Sequence, residues 1–233
     1  MGVDLEEQAK RAVGRRAVDA FVRDGSCIGL GTGSTARYAI ERVGERVREG
    51  WDVRVVPTSI ETEHRCREYG VTLRALADEP IEVAIDGADE VAPDWALIKG
   101  GGGALFREKA VAIAARVFVV IVTERKLVDA LGAFPLPVEV VPFSARYVVP
   151  EIEALGAQVR LRQRDGTPLL SDNGNTILDC RFGPIYAPAE LDAALRALHG
   201  VVATGLFIGL AAKVLVAKND GTIEQLERPG SGR

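Results

Sequence analysis

Three short stretches of this chain carry residue types that can do chemistry on a small, charged, hydroxylated molecule. The first is Gly31-Thr32-Gly33-Ser34-Thr35. Its two glycines let the backbone come close to a ligand. Three hydroxyls and several backbone N–H groups converge where a helix is expected to begin, an arrangement that binds phosphate. The same stretch also reads as a tight turn whose Ser34 or Thr35 caps a helix. It has neither the Gly-Lys-Ser/Thr ending of a Walker loop nor the third glycine of a dinucleotide fingerprint.

The second stretch is Asp86-Gly87-Ala88-Asp89-Glu90. It follows an apolar run and so belongs at the carboxyl end of a strand, where open α/β sheets hold their ligands. Asp86 and Asp89 suit hydrogen bonds from the hydroxyls of a polyol. An acidic surface turn and a magnesium site are the alternatives, and the lysines of the neighbouring loops favour the polyol over the metal. The third stretch is Lys99-Gly100-Gly101-Gly102-Gly103, followed by Ala104-Leu105-Phe106-Arg107-Glu108-Lys109. Successive glycines cost conformational entropy, and close backbone approach to a ligand is the usual reason for them. On a helical wheel Glu108 is surrounded by Ala104, Val111, Ala112 and Ala115, while Arg107 and Lys109 point elsewhere. A carboxylate on such a small-residue face is partly desolvated, which is expected to raise its pKa toward that of a useful base. A salt-bridged glutamate in the first helical turn, favoured by the helix dipole, is the other reading.

The elements around these stretches must hold them in place. Apolar spacing predicts an amphipathic helix over 5–22, with Lys10 near the edge of its apolar face, then a strand over 26–30 and a helix over 36–47. Strands are expected at 53–56, 71–75, 82–85 and 117–122, and helices at 59–69 and 104–115. Such alternation argues for a mostly parallel, Rossmann-like sheet with helices on both faces. The pattern changes at Phe134-Pro135-Leu136-Pro137. Strand 138–141, helix 144–155, strands 157–162 and 175–180, helix 188–198 and strand 201–207 make a βαββαβ order, which predicts a smaller ferredoxin-like α+β domain. A closing hairpin around Asn219-Asp220-Gly221 is expected to return to the first domain, and the tail 228–233 to be disordered. The expected limits are 1–132 with 204–233 for the α/β domain and 133–203 for the smaller one.

Composition narrows the function further. Acidic residues outnumber basic ones, 33 to 29, and the net charge of -4 argues against a nucleic-acid binder. No apolar run is long enough to cross a membrane. The N-terminal Met1-Gly2-Val3-Asp4 has no apolar signal core, so a cytoplasmic protein is expected. Cys27, Cys66 and Cys180 are scattered, each in or beside an apolar run, and read as buried free thiols; with His64 and His199 they form no zinc pattern.

Taken in order, the motifs resemble the ribose-5-phosphate isomerase A family. The resemblance rests on Gly29-Leu30-Gly31-Thr32-Gly33-Ser34-Thr35-Ala36, Asp86-Gly87-Ala88-Asp89-Glu90, and Lys99-Gly100-Gly101-Gly102 with Arg107-Glu108-Lys109. Phe134-Pro135-Leu136-Pro137-Val138-Glu139-Val140, Asp172-Asn173-Gly174-Asn175 and Gly200-Val201-Val202-Ala203-Thr204-Gly205-Leu206-Phe207 extend it over nearly the whole chain. It implies an aldose–ketose isomerase of the non-oxidative pentose phosphate pathway. Such an enzyme interconverts D-ribose 5-phosphate and D-ribulose 5-phosphate, uses no cofactor or metal, and forms a homodimer or homotetramer. Residue by residue, Glu108 matches the catalytic base. Thr32, Gly33, Ser34 and Thr35 match one substrate loop; Asp86, Gly87, Ala88 and Asp89 match a second; Lys99, Gly100, Gly101 and Gly102 match a third. Asp86 and Lys99 carry catalytic roles with Glu108. Lys126 matches a lysine that contacts substrate, and Lys10 one near the phosphate. Phe106 and Thr123-Glu124-Arg125 depart from the family's usual small polar residues.

Three rivals come from other classes. A coenzyme A transferase would use Glu108 as an acyl acceptor, but the chain is short for one. A sugar-phosphate sensor would carry a DNA-binding module, for which there is no candidate. A nucleotide-binding dehydrogenase would need the full glycine fingerprint.

Overall fold

The computed structural model describes residues 2–226. The tail expected at 228–233 lies outside them. In chain order, α1 (Gly2–Phe21), β1 (Cys27–Leu30), α2 (Ala36–Arg48), β2 (Arg54–Pro57), α3 (Ile60–Glu68), β3 (Thr72–Leu73) and β4 (Ile81–Asp86) open the fold. Two short strands follow, β5 (Glu90–Val91) and β6 (Leu97–Ile98), then α4 (Leu105–Ala114) and β7 (Ala115–Thr123). The second half contains β8 (Leu136–Val140), α5 (Ala145–Ala154), β9 (Gln158–Leu161), β10 (Gln163–Arg164), β11 (Thr167–Pro168), β12 (Thr176–Arg181), α6 (Pro188–Ala197), β13 (Val201–Thr204) and β14 (Leu206–Phe207). The hairpin β15 (Lys213–Ala217) and β16 (Ile223–Leu226) closes it.

The chain packs as two compact units. One comprises Met1–Ala88, Arg107–Leu127 and Leu210–Arg233, the other Asp89–Phe106 and Val128–Gly209. The limits expected from the sequence put 89–106, 128–132 and 204–209 in the larger domain; by packing all three go with the smaller one, where β6 pairs with both β5 and β14.

The first unit is built on a seven-stranded sheet, β16-β15-β7-β4-β1-β2-β3, parallel throughout except for β16. Strand side chains alternate between its faces. Ile28, Leu30, Val83, Ile85, Val119, Ile121 and Leu215 meet α1, α2 and α3 through Val13, Ala17, Val18, Ala39, Ile40, Val43 and Cys66. Burying each of the larger of these side chains contributes about 1.5–3 kcal/mol. Gly29 and Ala84 point to the opposite face, which α4 covers: a Cβ on Gly29 would lie 2.3 Å from Val111 Cγ1 and 3.1 Å from Ala84 Cβ. Gly29 is therefore the gap into which α4 packs.

The second unit contains the four-stranded antiparallel sheet β13-β8-β12-β9, the strand order of a ferredoxin-like βαββαβ. Val138, Val140, Leu178 and Cys180 pack on one face with Val148, Ile152 and Leu195 of α5 and α6. Ile177 and Ala203 share the other face with Leu105. Glu139 lies beside them in register and is fully buried; its Oε1 accepts hydrogen bonds from Ser171 Oγ at 2.7 Å, Asn175 Nδ2 at 2.9 Å and Asn173 Nδ2 at 3.2 Å. That pins the Asp172-Asn173-Gly174-Asn175 turn.

The strand expected over 201–207 is two strands in two sheets. β13 pairs with β8, while β14 pairs with β6 in the three-stranded sheet β14-β6-β5. Gly205 makes the break: its N–H donates to Pro137 O at 2.7 Å, and a Cβ there would lie 2.3 Å from Lys99 O.

Candidate active site

In the first unit, β1 ends at Leu30 and the chain turns through Gly31–Thr35 into α2. Gly31 N–H donates to Ile85 O at 2.9 Å, which ties the turn to the end of β4. A Cβ on Gly31 would lie 1.8 Å from Asp86 Oδ1, so only glycine fits. Asp86 is buried at 3% exposure, and its Oδ1 accepts from Gly87 N at 2.7 Å and Thr32 N at 3.2 Å. One carboxylate oxygen thus organises both loops of this unit. The loops also approach at their far ends, where a Cβ on Gly87 would sit 4.0 Å from Thr35 Cβ.

The hydroxyls of the loop divide by job. Thr32 Oγ1 bonds to Ser59 Oγ at 2.7 Å, Thr58 Oγ1 at 2.8 Å and Thr62 Oγ1 at 3.2 Å, and Thr62 Oγ1 donates to Gly31 O at 2.8 Å. This mostly buried hydroxyl cluster fastens the loop from beneath. Thr58, Ser59 and Thr62 were not anticipated from the sequence; their only signal was a run of hydroxyl residues at the start of α3. Gly33 and Ser34 are exposed, and Gly33 has φ +111°, a conformation that favours glycine. Thr35 occupies the N-cap position of α2 without a side-chain capping bond.

Glu108 lies in the first turn of α4 and is buried at 4% exposure, with Val111 and Ala112 buried on the same face. Val111 rests in the gap at Gly29, and Glu108 is one turn closer to the helix N-terminus. Lys126 ends the 3-10 turn that follows β7 and is half-buried. Lys10 Nζ meets Glu7 Oε1 at 2.9 Å and Glu6 Oε1 at 3.4 Å. Glu7 also accepts from Tyr38 OH at 2.7 Å and from Arg37 Nη2, both in the first turn of α2. Lys10 is thereby linked to the helix that opens after Thr35. The Tyr38 and Lys10 hydrogen bonds hold the Glu7 carboxyl at about 2, well below its ordinary value.

In the second unit, Asp89 Oδ2 accepts from Gly101 N at 2.8 Å, and Asp89 N–H donates to Ile98 O at 2.8 Å. Asp86 and Asp89 therefore brace different loops: Asp86 the turn after β1, Asp89 the glycine loop. Glu90, the third acid of that stretch, is buried and accepts from Gly132 N at 2.7 Å and Phe134 N at 2.5 Å. Lys99 is buried at 3% exposure, with its ammonium 5.4 Å from the Phe207 ring centroid. A cation over an aromatic face is attracted by the ring quadrupole. Gly100 and Gly103 have φ +104° and +88°, and Gly103 N–H donates to Gly100 O at 3.0 Å; Gly101 and Gly102 are exposed. Phe207 was carried by a recognised motif, but nothing in that motif paired it with Lys99.

Among the described residues no group of three or more His, Cys, Asp or Glu is placed to hold a metal ion, and no helix is long and apolar enough to cross a membrane. The three cysteines are buried and unpaired with one another.

Comparison with known proteins agrees over nearly the full length. Residues 54–221 match the family model for ribose 5-phosphate isomerase A (phosphoriboisomerase A). The chain is 50% identical over 220 residues to a ribose-5-phosphate isomerase A of Gloeobacter violaceus, covering 93% of this chain and 95% of that one. Its fold is similar to that of the ribose 5-phosphate isomerase from Plasmodium falciparum, with TM-score 0.92 and 35% identity over 95% of this chain and 98% of that one. It is also similar, with TM-score 0.91 and 38% identity over 95% and 99%, to a D-ribose-5-phosphate isomerase solved in complex with phospho-erythronic acid. With its motifs in order, its two-unit fold and this similarity along its length, the chain belongs to the ribose 5-phosphate isomerase A family.

Proposed function

We propose that this isomerase interconverts D-ribose 5-phosphate and D-ribulose 5-phosphate by moving one proton between carbons 1 and 2 of the open-chain sugar. Glu108 is the base, taking the proton from one carbon and returning it to the other through a cis-enediolate. The observation that carries this reading is the burial of Glu108 in the first turn of a helix packed closely on β1. A base shielded from water exchanges its proton with the substrate rather than with solvent. Lys99 and N–H groups of the glycine loop stabilise the charge that grows on the enediolate oxygens, an effect often worth several kcal/mol. Asp86 and Asp89 orient hydroxyls of the sugar, and one of them assists opening of the furanose ring. N–H and hydroxyl groups of exposed Gly33 and Ser34 and half-buried Thr35, together with Lys10 and Lys126, hold the phosphate and so fix the reacting carbons.

In this reading the enzyme uses neither cofactor nor metal, works in the cytoplasm and forms a homodimer or homotetramer. Light scattering tests the assembly. The catalytic assignment is tested by following ribulose 5-phosphate formation with chelator-treated protein. Conversion should persist in chelator and fall by at least ~10²-fold in Glu108→Gln, which keeps the shape and removes the base. Near-normal turnover in that variant would end the assignment of Glu108.

A further inference from the structure

The glycine loop has a second brace that no motif announced. Arg162 follows β9, with its side chain only 11% exposed. Its Nη1 donates to Gly100 O at 2.7 Å and to Gly101 O at 3.1 Å. The other side of the guanidinium is held by Asp179 of β12, through Nε to Oδ2 at 3.0 Å and Nη2 to Oδ1 at 2.5 Å. Asp179 sits on a central strand paired on both sides, so the arginine is anchored to the rigid part of its unit. Only a planar fork with several donors can grip a carboxylate and two carbonyls at once; a lysine ammonium cannot.

The effect on the loop follows from peptide geometry. A trans peptide is planar, and its C=O and the next N–H point in opposite directions. The Gly100–Gly101 peptide is held at both ends, its oxygen by Arg162 and its N–H by Asp89. The Gly101–Gly102 peptide is held at its oxygen by Arg162, so the Gly102 N–H must point away from the guanidinium. Gly102 is an exposed residue, so a ligand can approach its backbone. Glycine peptides rotate readily when nothing holds them. A cation on the carbonyl also polarises the peptide and strengthens its N–H as a donor.

We propose that Arg162, held by Asp179, is a positioning residue that aims the Gly102 N–H at the developing enediolate oxygen. This rests on the isomerase reading above. It predicts a defect in kcat rather than in KM, because a donor that strengthens with developing charge acts on the transition state. In Arg162→Ala, kcat should fall about 10- to 100-fold, the scale of a misplaced catalytic contact, with a smaller change in KM. Low, non-denaturing guanidinium should restore part of the lost rate, a response that a merely structural arginine would not give. Arg162→Lys should fall between wild type and Arg162→Ala, Asp179→Asn should reproduce a milder kcat defect, and the exposed neighbour Arg164→Ala should behave as wild type. Thermal melts accompany each variant. Unchanged kcat in folded Arg162→Ala, or a loss of rate that tracks lost stability with no guanidinium rescue, overturns the proposal. Should Arg162→Ala not fold, Arg162→Lys decides: wild-type kcat in that variant overturns it. An inactive wild-type chain would instead refute the isomerase reading, and this inference with it.

Discussion

Replacing Gly29 with alanine tests how Glu108 is placed without touching Glu108. The new methyl would lie 2.3 Å from Val111 Cγ1, against an ordinary carbon–carbon contact of about 3.5 Å. The shortfall is about 1.2 Å. Val111 is β-branched and in a helix, so it has one strongly preferred rotamer and cannot swing aside cheaply. Ala84 Cβ, 3.1 Å away on the neighbouring strand, blocks the alternative. The helix must therefore retreat from β1 by roughly an ångström, carrying Glu108 with it. Overpacking of this kind costs about 1–3 kcal/mol of stability, and a misplacement of about 1 Å costs on the order of 10²-fold in rate. Trimming the obstacle should reverse the effect. Val111→Ala alone leaves a cavity and costs about 1–3 kcal/mol, while the double variant Gly29→Ala/Val111→Ala should be more stable and faster than the sum of the single effects. Thermal melts and kcat for ribulose 5-phosphate formation measure both. Wild-type melting and turnover in Gly29→Ala, or strict additivity in the double variant, would refute the claim that the α4–β1 contact positions the base.

Two further predictions concern titration and reactivity. Glu7 and Glu45 both titrate at about 2 instead of the ordinary 4.5, Glu7 through Tyr38 and Lys10 and Glu45 through Arg15 and Arg42. A carboxyl with a depressed folded-state pKa adds stability that is full above about 4.5 and lost as the pH falls toward 2. Thermal melts should drop across that window, the drop should shrink in Glu45→Gln, and high salt should mute it because both side chains are partly exposed; a pH-independent melt between those limits counts against the pairs. Burial pushes the Cys27 thiol up to about 11 and those of Cys66 and Cys180 up to about 12, so a thiol reagent at neutral pH should label none of them in the native protein and all three after unfolding; rapid native labelling would contradict their burial.

Much of the scaffold was legible because it is written in local patterns. Helical spacing predicted α2 over 36–47 and α6 over 188–198, and the structure has Ala36–Arg48 and Pro188–Ala197. Apolar β-branched runs predicted β4 and β7, and their alternation with helices predicted the parallel sheet. Glycines and acids at strand ends marked the loops proposed as the site, since glycine allows close backbone approach and open α/β sheets hold ligands at the carboxyl ends of their strands. Two-residue strands such as β5 and β6 carry too little pattern to be seen, and the break at Gly205 depends on the oxygens of Pro137 and Lys99.

The sequence by itself determined which elements form, their order, the glycine- and acid-bearing loops at strand ends that are proposed as the site, and the family to which the chain belongs. Each of these depends on residues within a few positions of one another, or on an ordered set of such motifs. Tertiary structure alone decided the partners. It set Asp86 to organise the turn after β1 and Asp89 to hold the glycine loop, though the two are three residues apart and look alike. It joined Thr32 to Ser59 and Thr62, laid Lys99 beside Phe207, and brought Arg162 to carbonyls about 60 residues earlier in the chain. Hydrogen bonds and ring contacts act over a few ångströms of space, and only the folded sheets bring such distant positions that close.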